Sequence, residues 1–214
     1  MLKVGLIGIG SIGRMHLDHY ITLEKEGFPL KLTSICDVDE NKFKGHFFGS
    51  NLGKPSEKYD FSEYSQYLDV DEMLNNETFD YVDICVPSYL HLEVTRKVLE
   101  KGIHAMCEKP MALNSDDCQE MIDIAKRHDR KLMIGQCMRF WPAYEYLKET
   151  IDSGKYGKVV YANFFRGGST PKWSHNNWML KKETGGGSLL DMHIHDVDLV
   201  NWLFGKPDQV STVA

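Results

Sequence analysis

A lysine at the end of one apolar run, and a histidine four residues after an aspartate in a later segment, are the side chains here best suited to moving a proton. Lys109 stands in Cys107-Glu108-Lys109-Pro110. An ammonium group there can hold a hydroxyl or carbonyl oxygen and assist proton movement, because its pKa responds readily to burial. Pro110 would fix the local backbone so that Lys109 points in one direction. A lysine before proline is also an ordinary solvated loop residue. The second segment reads Gly185-Gly186-Gly187-Ser188-Leu189-Leu190-Asp191-Met192-His193-Ile194-His195-Asp196. On a continuous helix Asp191 and His195 share a face. A carboxylate beside an imidazole sets its orientation and raises its basicity, which suits a base for a hydroxyl proton. Taken from the helix alone, Asp191 serves equally well as a first-turn carboxylate facing the helix dipole. His193 points elsewhere, so this H-x-H does not converge on one ion. No metal is expected, although Asp191 with His195 would make half a site.

A partner for that chemistry is written at the other end of the chain. An apolar strand, Leu2 to Ile7, runs straight into Gly8-Ile9-Gly10-Ser11-Ile12-Gly13, and an amphipathic helical stretch follows. A lone G-x-G-x-x-G is weak; between a strand and a helix it has the context of a dinucleotide site. Gly8 allows the tight turn, Gly10 lets the backbone approach a pyrophosphate, and Gly13 lets the helix pack closely on the sheet. The N–H groups at the helix start, around Ser11 and Ile12, would face the phosphates along the favourable end of the dipole. The next apolar run, Leu30 to Cys36, closes at Asp37. A carboxylate there accepts from ribose hydroxyls and repels a 2′-phosphate. Val38 and Asp39 supply no cation to offset it, so NAD is expected rather than NADP. Asp37 could also cap the helix expected from residue 39.

Around these residues, strand and helix patterns alternate. Strands are expected at 2–7, 30–36, 80–86, 103–107 and 131–136, and helices near 11–26, 39–47, 70–76, 89–102 and 115–129. That alternation predicts an α/β fold, a doubly wound parallel sheet of Rossmann type with helices on both faces. Ligands then sit beyond the carboxyl ends of the strands. Pro87 with His91, the Lys109 segment and the glycine-rich loop 184–187 are the segments expected there. The stretch 49–65 reads as an irregular connection. The pattern changes after Gln136: a helix over 139–153, a turn over 154–157, a strand over 158–165, a helix over 188–204, and an apolar stretch from Gln209. This predicts an NAD-binding domain over 1–137 and an incomplete α+β domain over 138–214. Arg139 would reach the cofactor or substrate, or else form a structural ion pair. Trp141, Trp173, Trp178 and Trp202 are expected in core or interdomain packing.

The bulk composition fits a globular chain. Of 214 residues, 42% are hydrophobic and 26% charged, and the net charge of −6 with no basic stretch argues against nucleic acid. The first strand starts at residue 2, leaving no room for a signal peptide, and no apolar run approaches membrane-spanning length. Five cysteines without C-x-x-C spacing read as reduced thiols of a cytoplasmic protein.

The set formed by Gly8–Gly13, Pro87 with His91, Glu108-Lys109-Pro110, and the glycine loop leading to Asp191 and His195 resembles the glucose–fructose oxidoreductase/inositol dehydrogenase (Gfo/Idh/MocA) family of NAD(P)-dependent sugar and polyol dehydrogenases. The resemblance implies that Lys109, Asp191 and His195 form the catalytic group. His195 would be the base, Lys109 would hydrogen-bond the reacting oxygen, and Asp191 would position both. It further implies that His91 and Glu108 lie along the nicotinamide ribose. His193 departs from the family's pattern, which has a frequent glycine in D-x-G-x-H. Members usually continue for another hundred residues or more, so a truncated product is expected here, prone to self-association. A longer form would be a homo-oligomer through its C-terminal sheet. The same resemblance carries two alternatives: a dinucleotide-binding regulator without turnover, and an NAD-dependent glycosidase.

Overall fold

The computed structural model describes residues 1–44, 59–168, 170–171 and 174–213. Six parallel strands form one sheet: β1 (Leu2–Ile7), β2 (Leu30–Cys36), β3 (Ser65–Tyr67), β4 (Tyr81–Ile84), β5 (His104–Cys107) and β6 (Leu132–Ile134), in the order β3-β2-β1-β4-β5-β6. Parallel strands need crossovers, and helices supply them: α1 (Ser11–Lys25), α2 (Val70–Asn76), α3 (His91–Glu100) and α4 (Ser115–Arg127). Their ends are written locally. The Asp69 carboxylate accepts from the Glu72 N–H to start α2, and the Asn114 side chain accepts from the Asp117 N–H to start α4. Acidic residues open α4, and Lys126 and Arg127 close it, matching the helix dipole.

Adjacent residues of β1 serve opposite faces. Leu6 packs with Val4, Leu17, Leu32 and Ile35 under α1, whereas Ile7 packs with Val82, Val94, Leu99, Met121 and Ile124 under α3 and α4. Each fully buried side chain of this size contributes roughly 1.5–3 kcal/mol. The sheet is therefore a rigid platform, and its carboxyl edge holds the site.

Beyond the sheet come α5 (Pro142–Asp152), two short helices, α6 (Lys182–Gly185) and α7 (Gly187–Asp191), and α8 (Ile194–Phe204). Several expectations change here. The helix expected over 39–47 is a single 3-10 turn, Glu40–Lys42, and residues 45–47 lie outside the described set. The irregular connection 49–65 ends in the edge strand β3; residues 49–58 are outside the described set. The helix over 139–153 starts later, because Pro142 occupies its first turn and a 3-10 turn, Cys137–Phe140, precedes it.

The strand expected over 158–165 does not form. The chain runs without regular structure there, with Val160 94% and Phe165 92% exposed, and among the described residues nothing pairs with it. An extended segment without a neighbour has no ladder to join. The same holds from Gln209 to Val213.

Trp141 is 52% exposed and so is not core. Trp178 meets the Tyr89 ring edge-on at 6.4 Å, Trp202 is half-buried, and Trp173 lies outside the described residues. All five cysteines are free. Burial pushes the Cys36 and Cys107 thiols up to about 12. Among the described residues no helix is long and apolar enough to cross a membrane.

Candidate active site

The strand order reverses between β1 and β4, and the crevice of such a sheet opens at that point. The turn Gly8–Gly13 follows β1, Pro87 follows β4, and Lys109 follows β5, all on that rim. Two of the glycines, Gly8 and Gly13, are sterically required. A Cβ on Gly13 would sit 1.8 Å from the Gly8 carbonyl oxygen, and Gly8 itself has φ +88°. Gly10 has the opposite surroundings, with no atom within 4 Å of where a Cβ would be. It is the N-cap of α1, and no side chain caps that end, so the first-turn N–H groups of Ser11 and Ile12 are left for a ligand. A closed turn with an open crest and an uncapped helix fits the pyrophosphate of a dinucleotide.

Asp37 is 6% exposed and faces the turn: it accepts from the Ile9 N–H at 2.9 Å and from the Asp39 N–H at 3.0 Å. It does not cap a helix; Asp39 caps the 3-10 turn that follows. Sequence reasoning missed one neighbour, Lys42, whose Nζ is 2.8 Å from Asp37 Oδ2. A cation five residues away in an irregular loop leaves no periodic signal. With Lys42 beside it, the Asp37→Ala variant should bind NAD roughly ten- to a hundredfold more weakly, from losing a hydrogen-bonding charge worth roughly 1.5–3 kcal/mol. Freed Lys42 should then narrow the gap between NAD and NADP in a calorimetric titration of both; an unchanged preference would remove Asp37 from the ribose site.

Lys109 and Asp191, 82 residues apart, meet. The Lys109 ammonium donates to the Asp191 backbone carbonyl at 2.6 Å and to its Oδ1 at 3.1 Å. This contact overturns the expected continuous helix over 188–204. The Asp191 carbonyl, which a continuing helix would give to the His195 N–H, is held by Lys109, and the His195 N–H turns to Met192 O at 3.4 Å. The helix breaks at Met192-His193, and Asp191 ends α7 while His195 lies in the first turn of α8. No hydrogen bond joins Asp191 to His195 among the described residues, so the expected orientation of the imidazole by Asp191 is absent. His195 Nδ1 is instead buried without a partner. Burial, then the positive charges of Lys109 and Arg166, bring the His195 pKa down to about 4.

Two arginine–aspartate pairs fix α8. Arg166 grips Asp196 through Nε and a terminal nitrogen, at 2.8 and 2.9 Å, and Arg139 grips Asp198 likewise at 2.7 and 2.5 Å. Arg139 is thus a structural ion-pair partner. Arg166 was not foreseen, because it lies in a segment without periodicity. His193 is exposed, its Nδ1 3.4 Å from Asp196 Oδ2.

Pro87 precedes the 3-10 turn leading into α3. His91 is 1% exposed, with Nδ1 2.8 Å from Pro110 O and Nε2 3.0 Å from Val86 O. Burial lowers its pKa, against the pull of the two carbonyls. It ties the loops after β4 and β5 together and is closed off from open solvent. The Lys109–Pro110 peptide is cis.

Glu108 faces the opposite way from Lys109, toward α1. Its Oε1 lies 3.2 Å from His16 Nε2, whose Nδ1 is 2.7 Å from Asp83 Oδ2. Burial opposes the charge on His16, but hydrogen bonds to Asp83 and Glu108 outweigh it and push the pKa up to about 10. Burial would likewise raise Glu108, yet the His16 bond and charge hold it below its ordinary value. His16, Asp83 and Cys85 are near enough to one another to hold a metal ion. Both ring nitrogens, however, are already engaged by carboxylates.

A six-stranded parallel sheet of this order, with a glycine turn fitted to a dinucleotide, defines an NAD-binding Rossmann domain. Residues 2–136 match the family model described as "Oxidoreductase family, NAD-binding Rossmann fold", and residues 144–214 match the GFO/IDH/MocA C-terminal domain. The chain belongs to the GFO/IDH/MocA oxidoreductase family. It is 35% identical over 144 residues to a 2,7-anhydro-N-acetylneuraminate hydratase of Mediterraneibacter gnavus, covering 67% of this chain and 38% of the relative. It is 30% identical over 209 residues to the D-glucoside 3-dehydrogenase of Escherichia coli, covering 96% and 55%. The WlbA dehydrogenase of Chromobacterium violaceum, solved with NADH and UDP-GlcNAcA, superimposes with a TM-score of 0.78 at 25% identity, over 96% of this chain and 56% of that one. The chain spans about half the length of the curated relatives it matches, from 38% to 55% in those examples.

Proposed function

We propose that this chain carries the cofactor-binding and catalytic parts of an NAD-dependent dehydrogenase acting on a CH–OH group of a sugar, polyol or inositol-like substrate. Residues 1–137 bind the dinucleotide, and 138–214 contribute part of the substrate domain. The free thiols suit a cytoplasmic protein, and a homo-oligomer through the C-terminal sheet is the assembly proposed for a longer form. The single observation that carries the reading is the convergence of Lys109 with Asp191, next to a neutral, half-buried His195, on the rim that bears the glycine turn.

When bound, the nicotinamide supplies the hydride acceptor or donor. The protein's residues manage the proton. His195, neutral above its depressed pKa of about 4, takes the hydroxyl proton. Lys109 donates a hydrogen bond to the same oxygen and stabilises the charge that develops there. Asp191 holds the lysine in place. The test is titration of the chain with NAD and NADP by calorimetry, then a sugar and polyol panel read at the NADH absorbance band. NAD binding with turnover supports the reading; failure to bind either cofactor defeats it.

The depressed His195 pKa sets the pH profile. The base must be neutral, and it is neutral above its pKa of about 4. The acid limb of kcat/KM should therefore lie near pH 4, leaving activity flat from about pH 5 to 7, where an unperturbed histidine would lose it below about 6.5. Stability follows the same sign. Between the two pKa values the unfolded chain binds more protons, so acid in that window destabilises the fold. A pH–rate profile breaking near 6.5 would contradict the depressed pKa, and a His195→Asn variant with the parent's turnover would take His195 out of the base's role.

The relationship to an anhydro-sugar hydratase favours a second reading, in which oxidation is transient and no NADH accumulates. Product analysis separates the two, since net NADH appears only in the dehydrogenase.

A further inference from the structure

A buried ionic chain runs under the site and uses residues that the proposed chemistry leaves idle. His16 stands on α1 three residues after Gly13. Asp83 interrupts the apolar core of β4 at 0% exposure. A carboxylate in that position is costly unless paired and fully hydrogen-bonded. It is both: Tyr20 donates its hydroxyl to Asp83 Oδ2 at 2.8 Å, Tyr81 donates to Tyr20 at 3.3 Å, and His16 Nδ1 lies 2.7 Å away. The other face of the imidazole meets Glu108 Oε1 at 3.2 Å. The second Glu108 oxygen accepts from the Lys109 backbone N–H at 3.1 Å. Gly135 closes the third side, where a Cβ would come within 2.7 Å of Glu108 Oε1. The Glu108 carboxylate has nowhere else to turn.

We propose that His16 is a positioning residue for Lys109: by holding the Glu108 carboxylate between its own ring and the Lys109 backbone N–H, it sets the direction in which the lysine leaves β5. The dinucleotide-binding helix and the lysine loop thereby move as one body. The proposal draws on the dehydrogenase reading only for the importance of Lys109, and its test does not need turnover.

The test is competitive labelling of amines by an acylating reagent at trace level, mapped by peptide mass spectrometry, with exposed Lys158 as internal reference. In the unsubstituted chain Lys109 should label slowly, because it is held against Asp191. In His16→Leu and His16→Gln its labelling relative to Lys158 should rise about fivefold, the effect of losing roughly 1 kcal/mol of local order. Glu108→Gln should give the same rise, and the double variant His16→Leu with Glu108→Gln no more than either alone, as expected of two residues acting in one chain. Should His16→Leu fail to fold, Glu108→Gln carries the same readout with no change in volume. Unchanged Lys109 labelling in folded variants, or effects that simply add, would overturn the proposal and leave His16 a stabilising residue alone. A wild-type chain that binds NAD without turnover would count against the dehydrogenase reading, while the labelling ratios would decide this one.

Histidine NMR adds a check. Asp83, Glu108 and Cys85 face the His16 ring, and His19 stands 6.5 Å away, ring to ring. Both ring protons should persist to pH 8 in the wild type, and a ring titrating below pH 7 would contradict the doubly bound geometry.

Discussion

Lys109→Ala should lower kcat about a thousandfold, the scale of a positioned proton-handling group, while NAD binds with nearly its original affinity. The reasoning is geometric. The ammonium is directed at Asp191 and not at the glycine turn, so its removal takes a donor from the reacting oxygen and nothing from the pyrophosphate site. Asp191 is left unpaired, but its side chain is 21% exposed and water can solvate it. The fold should therefore survive, with a cooperative melt close to that of the parent. Steady-state rates at the NADH band and calorimetry on the same sample make the check. Turnover like that of the parent would remove Lys109 from the chemistry, and a large loss of NAD affinity would relocate it to the cofactor.

The glycine turn makes a second test because two of its members have opposite surroundings. In Gly13→Ala the new methyl would lie 1.8 Å from the Gly8 carbonyl oxygen, a backbone atom that cannot swing aside. Either α1 lifts off the sheet or the turn opens. Overpacking of this kind costs about 1–3 kcal/mol, occasionally more, and the N–H groups of Ser11 and Ile12 lose their aim. Melting temperature should fall, and NAD affinity should fall about a hundredfold, or about 2.7 kcal/mol. Gly10→Ala meets open space and should melt like the parent, yet its methyl stands where the pyrophosphate would approach. A thermal melt paired with calorimetry on both variants reads the contrast. If Gly10→Ala were destabilised and Gly13→Ala were not, the assignment of roles within the turn would be reversed.

The sheet was legible because its signal is local. Buried parallel strands are apolar runs, and five of six stand in the sequence as such; the sixth, β3, has the sequence Ser65-Gln66-Tyr67 and only pairs with the end of β2. The glycine turn and Asp37 were legible for the same reason. What failed depends on partners distant in sequence. The helix through Asp191 and His195 reads as continuous until Lys109 takes the carbonyl that would have continued it. Asp83, inside an apolar strand, carries no expectation from sequence, because its partners His16 and Tyr20 are more than sixty residues away. His91 reads as a ligand-facing residue near a helix start, whereas its nitrogens are committed to Pro110 and Val86. The strand expected over 158–165 does not form, because a strand is a relation between segments and the described residues supply no second one.

Asp196 and Asp198 sit two residues apart, and so about 200° apart around α8. Arg166 and Arg139 therefore grip the helix from nearly opposite sides. Few apolar residues key it into the core, chiefly Leu199 and Leu203. Its rotation about its own axis is indexed by charge more than by shape. Charge is screened by ions where shape is not, and the outer pair, with the Arg139 side chain 41% exposed, feels that first. Rising ionic strength should therefore loosen the outer Arg139–Asp198 pair first and leave the more buried Arg166–Asp196 pair to hold the helix.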